Sequence, residues 1–431
     1  MAGDKFDAIV VGAGVAGCTA AYLLARAGLQ VVLIERGPYP GSKNLSGGVL
    51  YGRVLHDILP EFWNEAPVER RIDHFVISFV SGEAAFNVDF KSQAFDRPPF
   101  NAFTVLRARF DRWLAAKAEA AGAMLVTGVR VDRVVRQDGR VAGVAAGDEE
   151  LRADVVVAAD GANSFLAQEA GLRGRLPHDG IALGVKELIG LPRETIEERF
   201  HLEGDEGAAY TIVGAASKGL AGGGFLYTNR ESLSVGLVMI LDGLLRNQAR
   251  PADMMEEFLS TPLIAPLVKG GKLLEYGAHL VPEGGVDKMA RLFTDGMLVI
   301  GDAAGLGINN GFAVRGMDLA IGSAAAAAEA ILEAKAAGDF SAARLAAYRD
   351  KLERSFVMAD MRTYASAPRF FENERLYTAY PQLLADLMER IYRQEARPKD
   401  HLLPTLMKSL TSSGISILDL ARDIWNGVRA L

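Results

Sequence analysis

The stretch Asp7–Gly37 reads DAIVVGAGVAGCTAAYLLARAGLQVVLIERG. An apolar run ending at Val11 meets Gly12-x-Gly14-x-x-Gly17. An Ala- and Leu-rich segment, Val15–Ala27, then stops at Gly28, and a second apolar run covers Val31–Ile34. The pattern predicts strand, helix and parallel strand within about 30 residues. In that setting Gly12 permits a tight turn, Gly14 lets the backbone approach a pyrophosphate, and Gly17 lets helix and strand pack closely. The helix N-terminus adds free N–H donors and a dipole that favours phosphate. Glu35 closes the second strand 21 residues beyond Gly14. A carboxylate there accepts from a ribose hydroxyl and disfavours a 2′-phosphate. The stretch reads as a dinucleotide site. Cys18, the only cysteine in 431 residues, follows Gly17 and reads as a small apolar packing residue.

The bulk composition bounds the rest. Half the residues are hydrophobic and 23% are charged, enough for a sizeable core in two or three domains. A net charge of −7 argues against nucleic acid as a partner. One cysteine excludes an internal disulfide. It also excludes an iron–sulfur cluster ligated by this chain alone, since such clusters take about four thiolates. Met1–Lys5 carries no charged or apolar leader pattern, so a cytoplasmic location is expected. The most apolar helical candidate, LAIGSAAAAAEAIL at Leu319–Leu332, is interrupted by Glu329 and reads as a packed helix rather than a span. Ser341–Leu431 holds 14 Lys and Arg against 11 Asp and Glu, a net +3 on a remainder of −10.

Further along, Pro38–Gly52 reads as loop and Ile72–Phe90 as sheet. Arg107–Ala121 reads as helix. Met124–Val135 and Val141–Ala145 read as strands joined by Gln137-Asp138-Gly139, and Asp154–Ala158 as a buried strand ending in Asp160-Gly161. Ile181–Leu280 is strand-rich, with one helix expected near Pro251–Leu259. Met297–Ile300 is again a buried strand, and helix is expected to dominate after Gly311. Gly222-Gly223-Gly224 lacks a following helix, so no second dinucleotide unit is present. Either a nicotinamide visits transiently or electrons arrive from a protein. The six histidines have no metal-ligand spacing. His74 and His279 stand where they can approach a site boundary, without an assigned role.

VVVAADGANS at Val155–Ser164, MLVIGDAAGLGINNGFAVRGMDLAI at Met297–Ile321 and LRARFDRWLA at Leu106–Ala115 together resemble the flavoproteins of the para-hydroxybenzoate hydroxylase and geranylgeranyl reductase superfamily. The resemblance implies FAD as the cofactor. It implies an α/β fold of glutathione reductase type: a Rossmann-type FAD-binding domain, an inserted sheet-rich substrate domain and a helical C-terminal segment. It places Asp160 and Gly161 beside the cofactor, Asp302 on the ribityl chain and Arg107 on the pyrophosphate side. Arg36, Val131, Gly301, Asn310 and Gly311 complete that set with Gly12, Gly14, Gly17 and Glu35. The Gly305–Gly311 loop precedes a long helix, whose N-terminal dipole is expected to face the flavin N1/O2 edge and raise its potential.

PYPGSKNLSGGVLYGRVLHDILPEFW at Pro38–Trp63 narrows the resemblance. It is similar to the segment of electron-transfer-flavoprotein:quinone oxidoreductases that carries Ser-Gly, here Ser46-Gly47, and more closely to the FixC proteins. Single-chain quinone oxidoreductases end in a cluster-bearing ferredoxin-like domain. This sequence departs from them there, as FixC proteins do. The resemblance implies a FixA/FixB-like electron-transfer flavoprotein as donor, a separate FixX-like [4Fe–4S] subunit, a quinone acceptor, peripheral membrane contact and a role in nitrogen fixation. The alternative is a geranylgeranyl-reductase-like or hydroxylase-like NAD(P)H-dependent flavoenzyme. The expected division is 1–72, 100–176 and 281–340 for FAD, 73–99 and 177–280 for the quinone, and 341–431 for a helical docking segment. Leu233–Leu245 lines the quinone slot or is plain sheet core. The aromatics and arginines of Ser355–Tyr380 form a partner surface or an ordinary core.

Overall fold

The computed structural model describes residues 5–44, 47–175 and 177–431. Ser46, the expected boundary at 176 and Met1–Asp4 lie outside the described residues. The chain opens with β1 (Phe6–Val11) and β2 (Val31–Glu35), then β3 (Gly48–Tyr51), β4 (Val68–Ser81), β5 (Ala84–Lys91) and β6 (Ala102–Val105). Next come β7 (Met124–Thr127), β8 (Arg133–Gln137), β9 (Arg140–Ala146) and β10 (Glu149–Ala158). They are followed by β11 (Ile181–Gly190), β12 (Glu206–Gly214), β13 (Gly222–Thr228), β14 (Ser232–Ile240) and β15 (Lys272–Pro282). The last strands are β16 (Phe293–Thr294), β17 (Met297–Val299), β18 (Ile308–Asn309) and β19 (Val314–Arg315).

The first sheet runs β16-β17-β10-β1-β2-β7, with β8 and β9 attached through β10. β1 lies parallel between β10 and β2, so Val10 faces Val157 on one side and Leu33 on the other. Strands buried on both faces need continuous apolar runs, and FDAIVV, VVLIE and VVVA supply them. The Val15–Arg26 helix ends at Ala27, and Gly28 takes φ +89° to close it. The Met317–Ala337 helix packs against Val15–Arg26. Small residues make that approach possible: a Cβ on Gly301 would stand 2.9 Å from the Ala16 Cβ.

The second sheet runs β15-β11-β14-β13-β12-β4-β6-β3, with β5 on β4. Leu233, Val235, Leu237 and Met239 project from β14 to a fully buried core with Phe200 and Phe258. Four short helices, at Arg193–Phe200, Leu241–Arg246, Pro251–Ser260 and Ala265–Val268, lie in this half of the chain. One helix was expected there, and short helices inside strand-rich sequence carry little periodicity.

Three other expectations change. Pro38–Gly52 is not all loop, because β3 pairs antiparallel with β6. Both lie within the segments expected for the FAD domain, as does the start of β4, yet all three belong to the nine-stranded sheet. Four-residue strands are too short to show alternation. Met124–Val135 is two strands: β7 pairs parallel with β2 and β8 antiparallel with β9, with a break at 128–132 between them. The long helix starts at Met317, because the β18–β19 ribbon follows the Gly305–Gly307 turn.

Candidate functional site

A cavity of about 730 Å³ runs between the two sheets, from the Gly12 turn to the inner face of β11, β13 and β15. At the Gly12 end the backbone is fixed. Gly12 takes φ +102°, and a Cβ there would collide with the Ala159 carbonyl. A Cβ on Gly17 would collide with the Gly12 carbonyl. By contrast, the nearest atom to a Cβ on Gly14 is Arg107 Nη2 at 3.7 Å, which leaves room before the helix N-terminus. Glu35 is 9% exposed. Its Oε2 accepts from the Ala13 amide at 3.0 Å and its Oε1 from the Gly37 amide at 2.7 Å. The carboxylate thus ties the turn to the end of β2, and each oxygen keeps a second acceptor position.

Arg107 opens the Arg107–Ala120 helix and donates twice to Asp111, from Nε and Nη2, both at 2.7 Å. Asn44 donates to the same carboxylate at 2.8 Å. Burial works against the Arg107 charge, and Asp111 more than restores it, so its pKa is raised. Burial pushes the Asp302 carboxyl up, and Arg107 pulls it back in part. The Arg–x–x–Phe–Asp spacing carries this contact, since residues four apart share a helix face. The Asn44 contact has no local sequence signal.

Arg36, Gly47, Val131, Asp160 and Gly161 also line the cavity, together with Gly12, Gly14, Glu35, Arg107 and Asp302. Asp160 holds local structure as well: Ser164 Oγ donates to it at 2.7 Å and the Leu166 amide at 3.2 Å. Four expected residues do not line the cavity. Gly17 and Gly301 are packing points, as above. Asn310 Oδ1 accepts from the Phe312 and Ala313 amides at 3.1 and 2.8 Å, and Gly311 sits in the same turn with φ +78°. These two shape the tip of the β18–β19 ribbon. The cavity wall is built instead by Leu306–Ile308 and Val314–Met317 on either side.

The far end was not legible as a motif. Lys186 lies on β11 and is 4% exposed. It donates to the Gly47 carbonyl, and burial pulls its pKa down to about 7. His279 on β15 pairs in register with Gly184 on β11. Burial, with Arg107, Arg36 and Lys186, lowers its pKa to about 4, so its imidazole is neutral at physiological pH. Glu283, just past β15, is raised by burial to about 7 against a hydrogen bond from Asn309. Phe225 and Tyr227 stack on each other, centroids 4.9 Å apart and 23° from parallel. His74 is elsewhere, with Nε2 at 2.9 Å from Asp89. From Leu233–Leu245 only Val238 lines the cavity; the apolar positions of β14 face the other way.

Within the C-terminal segment some of the expected aromatic and arginine groups pack internally, while Phe356 is 39% exposed. Tyr377 is 6% exposed and donates to the Phe371 carbonyl. Arg375 donates to both oxygens of Asp423 at 2.7 and 2.8 Å, and Tyr380 donates to Asp423 at 2.6 Å. These groups brace the last helix, Ile417–Ala430. Cys18 is fully buried, and its thiol donates to the Ala13 carbonyl at 3.3 Å, as a packing residue under the turn.

Residues 5–189 match the FAD binding domain, and residues 367–431 match the ETF-QO/FixC family C-terminal domain. The chain is 47% identical over 431 residues to the probable electron transfer flavoprotein-quinone oxidoreductase YdiS of Escherichia coli, covering all of both chains. It is 43% identical to protein FixC of the same organism, again over both full lengths. Among solved structures it superposes on a geranylgeranyl bacteriochlorophyll reductase-like protein from Thermoplasma acidophilum. The TM-score is 0.73 at 22% identity, covering 98% of this chain and 99% of that one.

Proposed function

The chain belongs to the ETF-QO/FixC family of FAD-dependent oxidoreductases, and from that premise we propose that it relays electrons from an electron-transfer flavoprotein to a quinone. The donor is a FixA/FixB-like pair, and a ferredoxin-like FixX-type subunit carries the [4Fe–4S] cluster. The observation that carries the reading is the single cavity joining a dinucleotide turn to the face of a second sheet. Its volume lies in the range of small-molecule sites.

The residues present fit FAD. The Gly12 turn leaves no space for a side chain, while the space before Gly14 is open to free helix amides and Arg107. In this reading those amides and Arg107 hold the pyrophosphate, and Glu35 accepts from the adenosine ribose with Arg36 and Val131 at that edge. Asp302 holds the ribityl chain, beside Asp160 and Gly161. Bound FAD supplies a carrier that takes and gives one or two electrons. The chain's own work is to hold it, exclude water and set the charge around it. The chain has one cysteine, buried as Cys18, so a four-thiolate cluster falls to the partner. Nitrogen fixation is the physiological setting we assign, from the resemblance to Fix complexes.

Quinones are lipid-borne, and the proposed location is the inner face of the cytoplasmic membrane, bound peripherally. Among the described residues no helix is long and apolar enough to cross a membrane. On the last helix, however, Ile417, Leu418, Ile424, Trp425 and Val428 are all exposed, Leu418 at 76% and Trp425 at 63%. Arg422 and Arg429 accompany them. An apolar stripe with Trp and basic residues suits an anionic lipid surface. Leu418→Asp with Trp425→Asp is expected to abolish co-sedimentation with phosphatidylglycerol vesicles and to leave the melting temperature unchanged.

The deciding experiment mixes the purified FAD-loaded chain with reduced electron-transfer flavoprotein and a soluble ubiquinone, with and without the FixX-type subunit. Quinol formation that needs this chain supports the relay. Rapid bleaching of the flavin by NADPH alone overturns it in favour of a reductase or hydroxylase.

A further inference from the structure

Lys186 sits in an unusual row of the nine-stranded sheet. Across the strands its register partners are Gly277 on β15 and Gly236 on β14, and Gly236 in turn faces Phe225 on β13. The next row on the same face reads His279, Gly184, Val238. Side chains two apart on a strand share a face, so Lys186 rises from a floor with three glycines around it. The floor is shallow enough for the Phe225 ring to lie across Gly236, where a Cβ would stand 2.6 Å from Phe225 Cζ. Tyr227 continues that aromatic wall.

The Lys186 ammonium donates to the Gly47 carbonyl, which uses one of its three donors. Glu275, two residues along β15 from Gly277, raises the Lys186 pKa through its charge. A cation at 4% exposure is costly to bury. The open cavity beside it is where further acceptors would come from. Flat floor, aromatic wall and buried ammonium fit a planar conjugated ring bearing a carbonyl oxygen.

We propose that Lys186 is the charge-accepting group of this site, placed to pair with a ring carbonyl oxygen that becomes negative on two-electron reduction. Lys186 keeps its proton and forms no covalent bond. The oxygen belongs either to the isoalloxazine of FAD or to the quinone. The second source rests on the proposed relay, the first only on FAD binding. The lowered Lys186 pKa agrees with this, because an oxyanion beside it would hold the ammonium charged.

The test is redox potentiometry of the FAD-loaded full chain at pH 6.5, for wild type, Lys186→Met and Lys186→Arg. It is paired with binding of 2-hydroxy-1,4-naphthoquinone, read from the flavin absorbance. If the oxygen is the flavin's, Lys186→Met lowers the two-electron potential by the equivalent of at least tenfold, about 30 mV, and Lys186→Arg does not. If it is the quinone's, the potential holds while naphthoquinone binding weakens at least tenfold, again rescued by Lys186→Arg. No change in either readout, with FAD retained, overturns the proposal, as does equal loss in both variants. Should Lys186→Met fail to hold FAD, the wild-type pH series decides. Arg107, His279 and Glu283 also line this space, and Glu275 acts on Lys186 through its charge. The expected break near pH 7 must vanish in Lys186→Arg and persist in Glu283→Gln, and the reverse sinks the idea. Failure of the relay reads out separately, as no quinol from reduced electron-transfer flavoprotein.

Discussion

The two ends of the cavity are built on opposite plans. At the Gly12 end, one contiguous stretch supplies a turn, a helix N-terminus and Glu35, and its central side chains are already tied to others: Glu35 to Ala13 and Gly37, Arg107 to Asp111, Asp111 to Asn44. At the far end, Lys186, Phe225 and His279 come from three strands and Glu283 from the chain just beyond β15; few are tied to one another, and burial shifts three of their pKa values. A pre-tied site suits a group that binds and stays, since its donors need no rearrangement. A site with donors and titratable groups in reserve suits chemistry in which charge appears and leaves.

The largest expected effect comes from breaking the tied end. Asp111 is fully buried, so Arg107→Met leaves an uncompensated carboxylate. Breaking such a pair costs about 3–5 kcal/mol, and both melting temperature and FAD retention should fall steeply. An unchanged melting temperature would mean that the pair is dispensable and the contrast between the ends false. Gly12→Ala comes next. The left-handed backbone alone costs about 1–3 kcal/mol for a side chain, before the collision with Ala159. The expected loss of FAD affinity is about tenfold to hundredfold, read from the ratio of flavin to protein absorbance after gel filtration.

The same contrast explains what could be read from sequence. Gly12, Gly14, Glu35 and Arg107 lie in stretches where spacing along the chain equals spacing in space: a turn, a strand, one helical turn. Asp302 was placed by the family resemblance, in the Gly-Asp that follows the Met297–Val299 strand. Lys186, Phe225 and Tyr227 become neighbours only through the pairing of β11, β14 and β13, and no linear spacing encodes that register. Asn310 and Gly311, expected at the cofactor, lie outside the cavity lining. A glycine-rich loop before a helix reads as a ligand cradle, but here two-residue strands intervene and Asn310 closes their turn. The short β3 and β6 were missed because four residues cannot show a period.

A pH titration sharpens the far end. The Glu283 carboxyl is raised from 4.5 to about 7. It binds its proton more tightly in the folded chain, so its stabilisation is full below 4.5 and lost as pH rises through 7. His279 is lowered from 6.5 to about 4. Its contribution is full above 6.5 and lost as pH falls toward 4. The two oppose each other across one window. Wild type should therefore show a shallow dependence of melting temperature between pH 4.5 and 6.5. Glu283→Gln should rise in stability with pH over that range, and His279→Gln should fall. Parallel slopes in the two variants would show that these two groups do not carry opposite shifts.

The smallest effect is expected at Cys18, and it tests how rigid the tied end is. The thiol is fully buried one residue beyond Gly17, and burial, followed by Asp111 and Glu35, holds its pKa well above the ordinary value. A thiol in that state is protonated and shielded, hence a poor nucleophile. Native protein should not react with a water-soluble disulfide reagent over hours, while unfolded protein should release one equivalent. Cys18→Ala removes one sulfur from a packed layer and should cost about 1 kcal/mol, with FAD retention unchanged. Rapid labelling of the native chain would require the Gly12–Cys18 turn to open, and an end that opens that readily is not pre-tied. The difference between the two ends would then lie in their chemistry alone, and the retention of the cofactor would have to be assigned to Arg107 and Asp302 rather than to the backbone of the turn.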